Sequence, residues 1–379
     1  MPSHGFEYDS FERIELPHRT SHLLIDDCTL AFFLGCRNKT LWWHLVDKAK
    51  QYRVYHIPKS TLGKYRIIHA PDDKLKRVLK NIHKRLLVPL EETLGEHVTA
   101  YRPNRSTKDA VMRHIPPCSI CDSMPPGKRP KKHECPREGT LFKMDLQDFF
   151  HSTRKSWIRK YFTSLGYSFH VSDLLASLMT VKLGTQEYFW NGTPQGAPTS
   201  GSICNLVADQ VLDQPILAYL YDLSTKMGLD DDTWQWRYSR YADDMVFTCG
   251  KKLPKEQQKE VLEDLIRIIR SSGYYVNPEK TRVQNPHLRR KILGIVANQK
   301  PNIPYEEYLK LRALTHNCLV HGIDTQHKRA GKETVMEFIP YLRGKISYIS
   351  GIHTHYGEKL REVFDAAMVI WTEANGAAA

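Results

Sequence analysis

Tyr241-Ala242-Asp243-Asp244-Met245-Val246-Phe247 sets two adjacent carboxylates between apolar runs. Residues 237–241 and 245–248 read as two strands around a tight turn at Ala242-Asp243-Asp244. Adjacent carboxylates between hydrophobic strands repel one another, and a bound cation removes that cost. Asp-Asp also makes a good turn by itself. Asp231 and Asp232 are read that way, as a solvated loop. A second acidic segment, Phe142-Lys143-Met144-Asp145-Leu146-Gln147-Asp148-Phe149-Phe150, puts Phe142 and Met144 on one face of a strand and Asp145 at its end. Two segments that each deliver aspartate from a strand end suit a hard divalent cation, which needs converging carboxylate oxygens.

Working outward, residues 1–50 read as helical and amphipathic in places, with Trp42, Trp43, Leu45 and Val46 clustered. Residues 53–57 and 65–69 read as short strands separated by the turn-prone Ser60-Thr61-Leu62-Gly63. The spacing of Leu75, Val78, Leu79, Ile82 and Leu86 predicts a helix over 72–88 with a basic side, ended by Pro89. Residues 115–139 are rich in Pro, Lys and Cys and read as a surface insertion. A strand at 140–144 and a helix after Ser152 follow, then a strand at 188–190, a Gly- and Pro-rich loop at 192–198 and a helix over 200–220. An amphipathic helix at 255–272 is stopped by Gly273 and followed by strands at 274–276 and 291–297. From Pro304 onward the chain reads as helical, with segments ending near Gly322, Gly351 and Ala367. No repeat is visible, and Ala377-Ala378-Ala379 reads as an appended tail.

The 379 residues correspond to roughly two to three domains at about 100–200 residues each. Apolar residues make up 41% and charged residues 26%, a globular balance. Fifty-five Lys and Arg against 42 Asp and Glu give +13, which points to a polyanionic partner or, more blandly, to a basic unspecialised surface. The apolar run near residues 23–36 is broken by Asp26 and Asp27 and is too short to span a bilayer. Residues 1–9 lack a secretory pattern, so no membrane partner and a cytoplasmic location are expected.

Eight cysteines do not make a disulfide scaffold and are expected to be reduced. Cys28, Cys36, Cys204, Cys249 and Cys318 are isolated and read as core residues. Cys118-x-x-Cys121, followed by His133 and Cys135, can close a tetrahedral Zn²⁺ site in a segment with few apolar residues. The alternative is free cysteines in a flexible loop.

Taken together, the segments resemble the reverse transcriptase family. Asp145 with Phe150 looks like motif A, Gln195-Gly196-Ala197-Pro198-Thr199-Ser200 like motif B and Tyr241-Ala242-Asp243-Asp244 like motif C. Gly273 through Asn277-Pro278-Glu279-Lys280-Thr281 looks like motif D, and Ile292-Leu293-Gly294-Ile295 like motif E. The resemblance covers residues 50–300 firmly and the helical tail more loosely. It implies an α+β, right-hand polymerase fold: fingers over 51–139 including the insertion at 115–139, a palm over 140–298 with part of the fingers at 151–190, and a helical thumb over 299–379, after an N-terminal extension of residues 1–50.

The same resemblance implies roles. Asp145, Asp243 and Asp244 would be the catalytic carboxylates holding two Mg²⁺ ions, with Mn²⁺ able to substitute and Leu146 lending its carbonyl. Phe150 would exclude a 2′-hydroxyl. Gln195 and Gly196 would touch the incoming nucleotide or template. Lys59 and Arg66 would clamp the dNTP triphosphate, with Lys64 as a competitor, and Lys280 would protonate pyrophosphate.

The absence of a recognisable RNase H, integrase or HNH segment makes the layout look like bacterial retron and other defence-associated enzymes. Ala100-Tyr101-Arg102, Ser106-Thr107-Lys108-Asp109-Ala110 and His114 look like a retron element, although Asp109 stands in place of its Asn and His114 comes one residue late. Ile292-Leu293-Gly294 likewise replaces the usual Val-Thr-Gly. These departures leave strict retron membership and a related phage-defence lineage both open. The retron resemblance implies a structured non-coding RNA as template and, through a 2′-hydroxyl, primer. An RNA–DNA hybrid would be the product, and a separately encoded effector a partner. Arg312, Lys328, Arg329, Lys332, Arg343 and Lys345 would grip the RNA. The alternatives are a protein-primed or template-independent defence polymerase and a catalytically idle RNA-binding scaffold.

Overall fold

Among the described residues, ten short strands carry the acidic turn and its loops: β1 (Tyr52–Pro58), β2 (Tyr65–Pro71), β3 (Leu141–Asp145), β4 (Val181–Gly184), β5 (Phe189–Gly192), β6 (Arg237–Tyr241), β7 (Asp244–Thr248), β8 (Arg282–Gln284), β9 (Lys291–Ile292) and β10 (Ile295–Val296). The computed structural model describes residues 24, 26–46, 48–59, 63, 65–124, 133–184, 189–229, 234–285 and 289–376. Ser60-Thr61-Leu62, Lys64, Asp231, Asp232, most of residues 1–25 and Ala377-Ala378-Ala379 lie outside them. With helices throughout, the α+β expectation is borne out.

Two compact units form. One draws on Met1–Arg105, Phe142–Thr248 and Leu253–Val283, the other on Ser106–Leu141, Cys249–Lys252 and Gln284–Ala379. In the first, a four-stranded sheet has the order β6-β7-β3-β8. Its strands bury Phe142, Met144, Tyr238, Met245, Val246 and Phe247. At about 25 cal/mol per Å² of apolar surface, each such aromatic or Leu-sized side chain contributes roughly 1.5–3 kcal/mol of burial free energy. Helices Ser200–Ala208 and Gln214–Lys226 join through a π-helical stretch, Asp209–Asp213, and bury Ile203, Leu206, Leu212, Ile216 and Leu220.

The hairpin β1–β2 pairs Tyr52 with Pro71 through Pro58 with Tyr65. The helix after it does not end at Pro89. Asp73–Ile82 continues through a π-helical stretch, His83–Leu87, into Val88–Glu91 with Pro89 in its first turn. The Val88 N–H reaches the His83 carbonyl, an i→i−5 bond, and this local widening accommodates a proline that has no N–H to donate. In the N-terminal segment, helices Asp27–Phe33 and Asn38–Val46 bury Leu30, Leu41 and His44. Trp42 and Trp43 stay nearly half exposed, with Trp42 donating to Asp27 Oδ2 at 2.8 Å.

Residues 274–276 make only an isolated bridge, Leu146 with Val276, in place of the expected strand. The strand expected at 291–297 is instead the hairpin β9–β10, with Leu293 and Gly294 in the positive-φ conformations its turn requires.

In the second unit, helices Tyr305–His321, Val335–Ile352 and Thr354–Gly376 pack around Tyr308, Cys318, Phe338, Leu342, Ile346, Leu360 and Phe364. The last helix runs past the expected stop near Ala367. Tyr308 stacks on Tyr356 with ring centroids 4.0 Å apart. Residues 106–141 belong to this unit. Lys108 Nζ donates to the Gly351 carbonyl at 2.8 Å, and buried Arg290 donates to the carbonyls of Arg137 and Gly139. Residues 115–139 are thus partly buried at both ends, through Ile115, Cys118, Cys135 and Arg137, and not wholly a surface insertion. Among the described residues, no helix is long and apolar enough to cross a membrane.

Candidate active site

β6 and β7 pair Tyr241 with Asp244, leaving Ala242 and Asp243 as a two-residue turn. Ala242 sits at φ +56°, as the first position of so short a hairpin turn favours, at a strain of roughly 1–2 kcal/mol for a residue with a Cβ. Because β3 lies next to β7, its end brings Asp145 beside that turn. The Leu146 N–H donates to the Asp243 carbonyl at 2.9 Å. The Asn277 N–H donates to the Asp145 carbonyl at 2.8 Å, and the Gln147 N–H to the Tyr275 carbonyl at 2.8 Å. The backbone under the aspartates is therefore pinned from both sides.

Asp145 is 5% exposed, and Asp243 and Asp244 are half-buried. Burial raises the Asp243 carboxyl above the ordinary aspartate range, and the charges of Asp145 and Asp244 add to the shift. Lys280 Nζ lies 2.7 Å from Asp145 Oδ2, and Lys143 Nζ lies 3.5 Å from Asp244 Oδ1. Burial alone would lower the Lys280 pKa, but its bond to Asp145 and the nearby carboxylates outweigh burial and raise it. Two ammonium groups already stand where the acidic cluster calls for positive charge, so the donor set fits a hard divalent cation. Donor atoms within 4.8 Å of one another are found, among the described residues, for Cys118-Cys121-His133-Cys135 and for His97-Asp209-Asp213. The three aspartates are spread wider, with Lys280 on Asp145 and Lys143 on Asp244.

Phe150 follows Asp145 by one short turn, at the start of helix Phe149–Ser152. It is half-buried and meets Tyr101 edge-on, with centroids 5.8 Å apart. Phe149 is buried and stacks on Tyr274 at 5.7 Å, which fixes the turn that aims Phe150. The Gln195 carbonyl accepts from the His69 N–H at 2.7 Å, tying the Gly-Pro loop to β2. Gly196 has φ +116°, and a Cβ there would lie 2.7 Å from Ile68 Cγ2. Only glycine fits that approach. Arg66 is exposed on β2 opposite Ile57, and Lys59 is exposed just past the end of β1, at the same end of the hairpin.

Arg312, Lys328, Arg329, Arg343 and Lys345 are all exposed on the helical segments of the second unit. Lys332 and Lys345 approach the Tyr341 ring at 4.6 and 5.9 Å. Asp109 is the N3 residue of a capping box with Ser106, accepting from the Ser106 N–H at 2.7 Å, and His114 is buried. Asp109 therefore has a local role as a helix cap.

Sequence reading missed the support beneath the turn. Arg240, fully buried, donates to both oxygens of Asp213 and, at 2.9 Å, to Asn205 Oδ1. Tyr238 OH donates to Asp213 at 2.7 Å, and His97 Nε2 lies 2.9 Å from Asp209 Oδ1. The Arg240 N–H donates to the His97 carbonyl at 2.7 Å. One signal was available: an arginine sharing a strand face with Tyr238, two residues before the acidic turn, must be compensated if that face is buried.

A family model described as reverse transcriptase (RNA-dependent DNA polymerase) matches residues 57–297. The retron Mx65 reverse transcriptase of Myxococcus xanthus is 28% identical over 83% of this chain, which spans 64% of that protein's length. The retron Ec86 reverse transcriptase of Escherichia coli is 30% identical over 69% of this chain and 78% of that protein. A solved structure of apo telomerase from Candida tropicalis aligns with TM-score 0.45 and 13% identity, over 83% of this chain and 61% of that one. With the family model covering well over half of its residues, and retron enzymes among its relatives, the chain belongs to the reverse transcriptase (RNA-dependent DNA polymerase) family, of the bacterial retron type, with that family's right-hand polymerase fold.

Proposed function

We propose that this chain is an RNA-directed DNA polymerase of the bacterial cytoplasm. It copies a structured non-coding RNA into DNA, with an RNA 2′-hydroxyl as primer, in antiphage defence beside a separately encoded effector. The observation that carries this reading is Asp145 beside the Asp243–Asp244 turn, joined by the Leu146–Asp243 backbone bond. Asp145, Asp243, Asp244 and the Leu146 carbonyl would hold two Mg²⁺ ions, for which Mn²⁺ substitutes. When bound, these ions activate the primer hydroxyl and stabilise the triphosphate and its leaving group.

The protein's own groups do the rest. Lys59 and Arg66 bind the triphosphate, a point charge and a planar fork on one hairpin end. Phe150, braced by Tyr101 and Phe149, is the wall against a 2′-hydroxyl. Gln195 and Gly196 position the nucleotide against β2. Lys280 supplies a proton to the leaving pyrophosphate. The exposed cations on the C-terminal helices hold the RNA backbone in the thumb, while residues 51–139 and 140–298 act as fingers and palm.

The test is to purify the protein from its native locus, with Asp243→Ala in parallel, and to sequence the nucleic acid that comes with it. A defined RNA covalently joined to complementary DNA, with the DNA missing from the variant, is the expected result. RNA without DNA in either preparation would favour a binding scaffold. DNA attached to protein would move the assignment to a protein-primed enzyme.

A further inference from the structure

We propose that Cys118, Cys121, His133 and Cys135 bind one structural Zn²⁺ that clamps the two ends of the inserted segment. This does not depend on the polymerase reading. Cys118 caps helix Ser119–Ser123 and Cys121 sits one turn on, so both sulfurs face the same side, and the Cys121 N–H points at Cys118 Sγ at 3.5 Å. Cys118 Sγ lies 3.1 Å from His133 Nε2, and Cys121 Sγ lies 3.5 Å from Cys135 Sγ. All four donor atoms fall within 4.8 Å of one another. A tetrahedral site with Zn–S bonds of about 2.3 Å has S···S edges of about 3.8 Å, so small shifts of the donors complete it.

The surroundings are built to hold such a site. Arg137, buried, donates to both oxygens of Asp122 at 2.7 Å and to the Pro116 carbonyl at 2.7 Å, while the Cys118 N–H donates to Asp122 Oδ2 at 3.0 Å. The Arg137 carbonyl in turn accepts from Arg290 at 2.6 Å. These bonds orient the ligand-bearing backbone from outside the cluster. The segment has little apolar material of its own: Ile120 and Met124 are exposed. Tying residues 118–121 to 133–135 across the eleven residues between Cys121 and His133 therefore needs something besides a hydrophobic core. A disulfide is the competing chemistry, but a Cys121–Cys135 bond would have to close to about 2.05 Å and would leave Cys118 and His133 idle.

The experiment is elemental analysis of the full-length chain, purified under reducing conditions without added metal and passed over a chelating resin. Stoichiometric zinc is expected, falling to trace in Cys121→Ser and Cys135→Ser. If those variants do not fold, two measurements on folded protein decide. The Co²⁺-exchanged intact chain is expected to show the intense absorption of a tetrahedral thiolate site. His133→Cys is expected to retain zinc and to strengthen the thiolate-to-Co²⁺ band. Substoichiometric zinc in the intact chain, zinc retained in the Cys→Ser variants, or a Cys121–Cys135 disulfide on non-reducing peptide mapping would each overturn the proposal.

Discussion

Arg240 lies fully buried with its Nε 2.9 and 3.0 Å from the two oxygens of Asp213 and its Nη2 2.7 Å from one of them. Asp213 is equally buried and comes from the π-helical stretch that follows Ser200–Ala208. The pair fastens the strand that delivers Asp243 to the helices behind the sheet. Removing one partner leaves an uncompensated interior charge. Arg240→Met is expected to destabilise the first unit by about 3–5 kcal/mol, and Arg240→Met with Asp213→Leu to recover most of that loss. Denaturation of the single and double variants measures it, and a single variant that melts like wild type would remove the pair from the account of the turn.

The same network makes stability depend on pH at both ends. Burial pushes the Asp213 carboxyl up, but Arg240 and His97 outweigh it and leave its pKa at about 2. A depressed carboxylate stabilises above its ordinary value of 3.8 and loses that contribution as pH falls towards 2. Burial alone would lower His97, but its bonds to Asp209 and Asp213 prevail and raise it. The imidazolium therefore stabilises fully below its ordinary 6.5, and the contribution is lost as pH rises through the raised value. Melting temperature of wild type minus that of His97→Gln, followed from pH 5 to pH 9, is expected to shrink with rising pH. A flat difference would show that His97 does not titrate in this range.

Asp243 sits in the acidic turn at a cost in stability. Its charged form is disfavoured by burial and by Asp145 and Asp244. If Asp243 holds metal as proposed, Asp243→Asn is expected to lose nucleotide addition by at least about 10³-fold, since such a carboxylate acts as part of a unit. In EDTA it is expected to melt no lower than wild type. A variant that loses activity and also melts much lower would mean that the acidic turn is held by its charge.

Phe150 tests the proposed wall against a 2′-hydroxyl. Phe150→Ala is expected to lower the preference for deoxynucleotides over ribonucleotides by roughly 10–200-fold in the ratio of kcat/KM values. Tyr101→Ala, which removes the edge-on brace, is expected to move the ratio the same way by less. An unchanged ratio in Phe150→Ala would place the 2′-hydroxyl contact elsewhere.

Gly196→Ala is expected to cost roughly 1–3 kcal/mol, because φ +116° strains any residue with a Cβ and the methyl would meet Ile68. Ile68→Ala in the same chain, measured against Ile68→Ala alone, removes Cγ2 and with it the clash but not the backbone strain, so rescue is expected to be partial. Complete rescue would assign the whole cost to the clash.

For the C-terminal helices, Arg343→Gln and Lys345→Gln are each expected to lower the slope of log affinity against log salt, for single-stranded RNA, by about 0.7 for each phosphate that is no longer neutralised. A slope that does not move would leave the exposed cations without a phosphate partner.

The acidic turns and the class of the fold are legible in the residues alone. Alternation around Asp145 and around Asp243–Asp244 gives the strands, because a strand with one buried face must alternate, and the five motifs come in the family's order. Local hydrogen-bond geometry was less legible. The helix passes through Pro89 because a π-helical widening removes the need for its N–H, and residues 291–297 turn back at Leu293-Gly294 where a continuous strand was expected. That Arg240, Asp213, His97 and Asn205 form one buried network beneath the acidic turn emerges only on folding. Folding also sets Lys280 and Lys143 against the aspartates, and brings together the donor atoms of two Cys/His pairs separated by eleven residues. These residues lie far apart in the chain. Periodicity reports which face of an element is buried, and a charged side chain's partner across the core leaves no mark in its neighbours along the sequence.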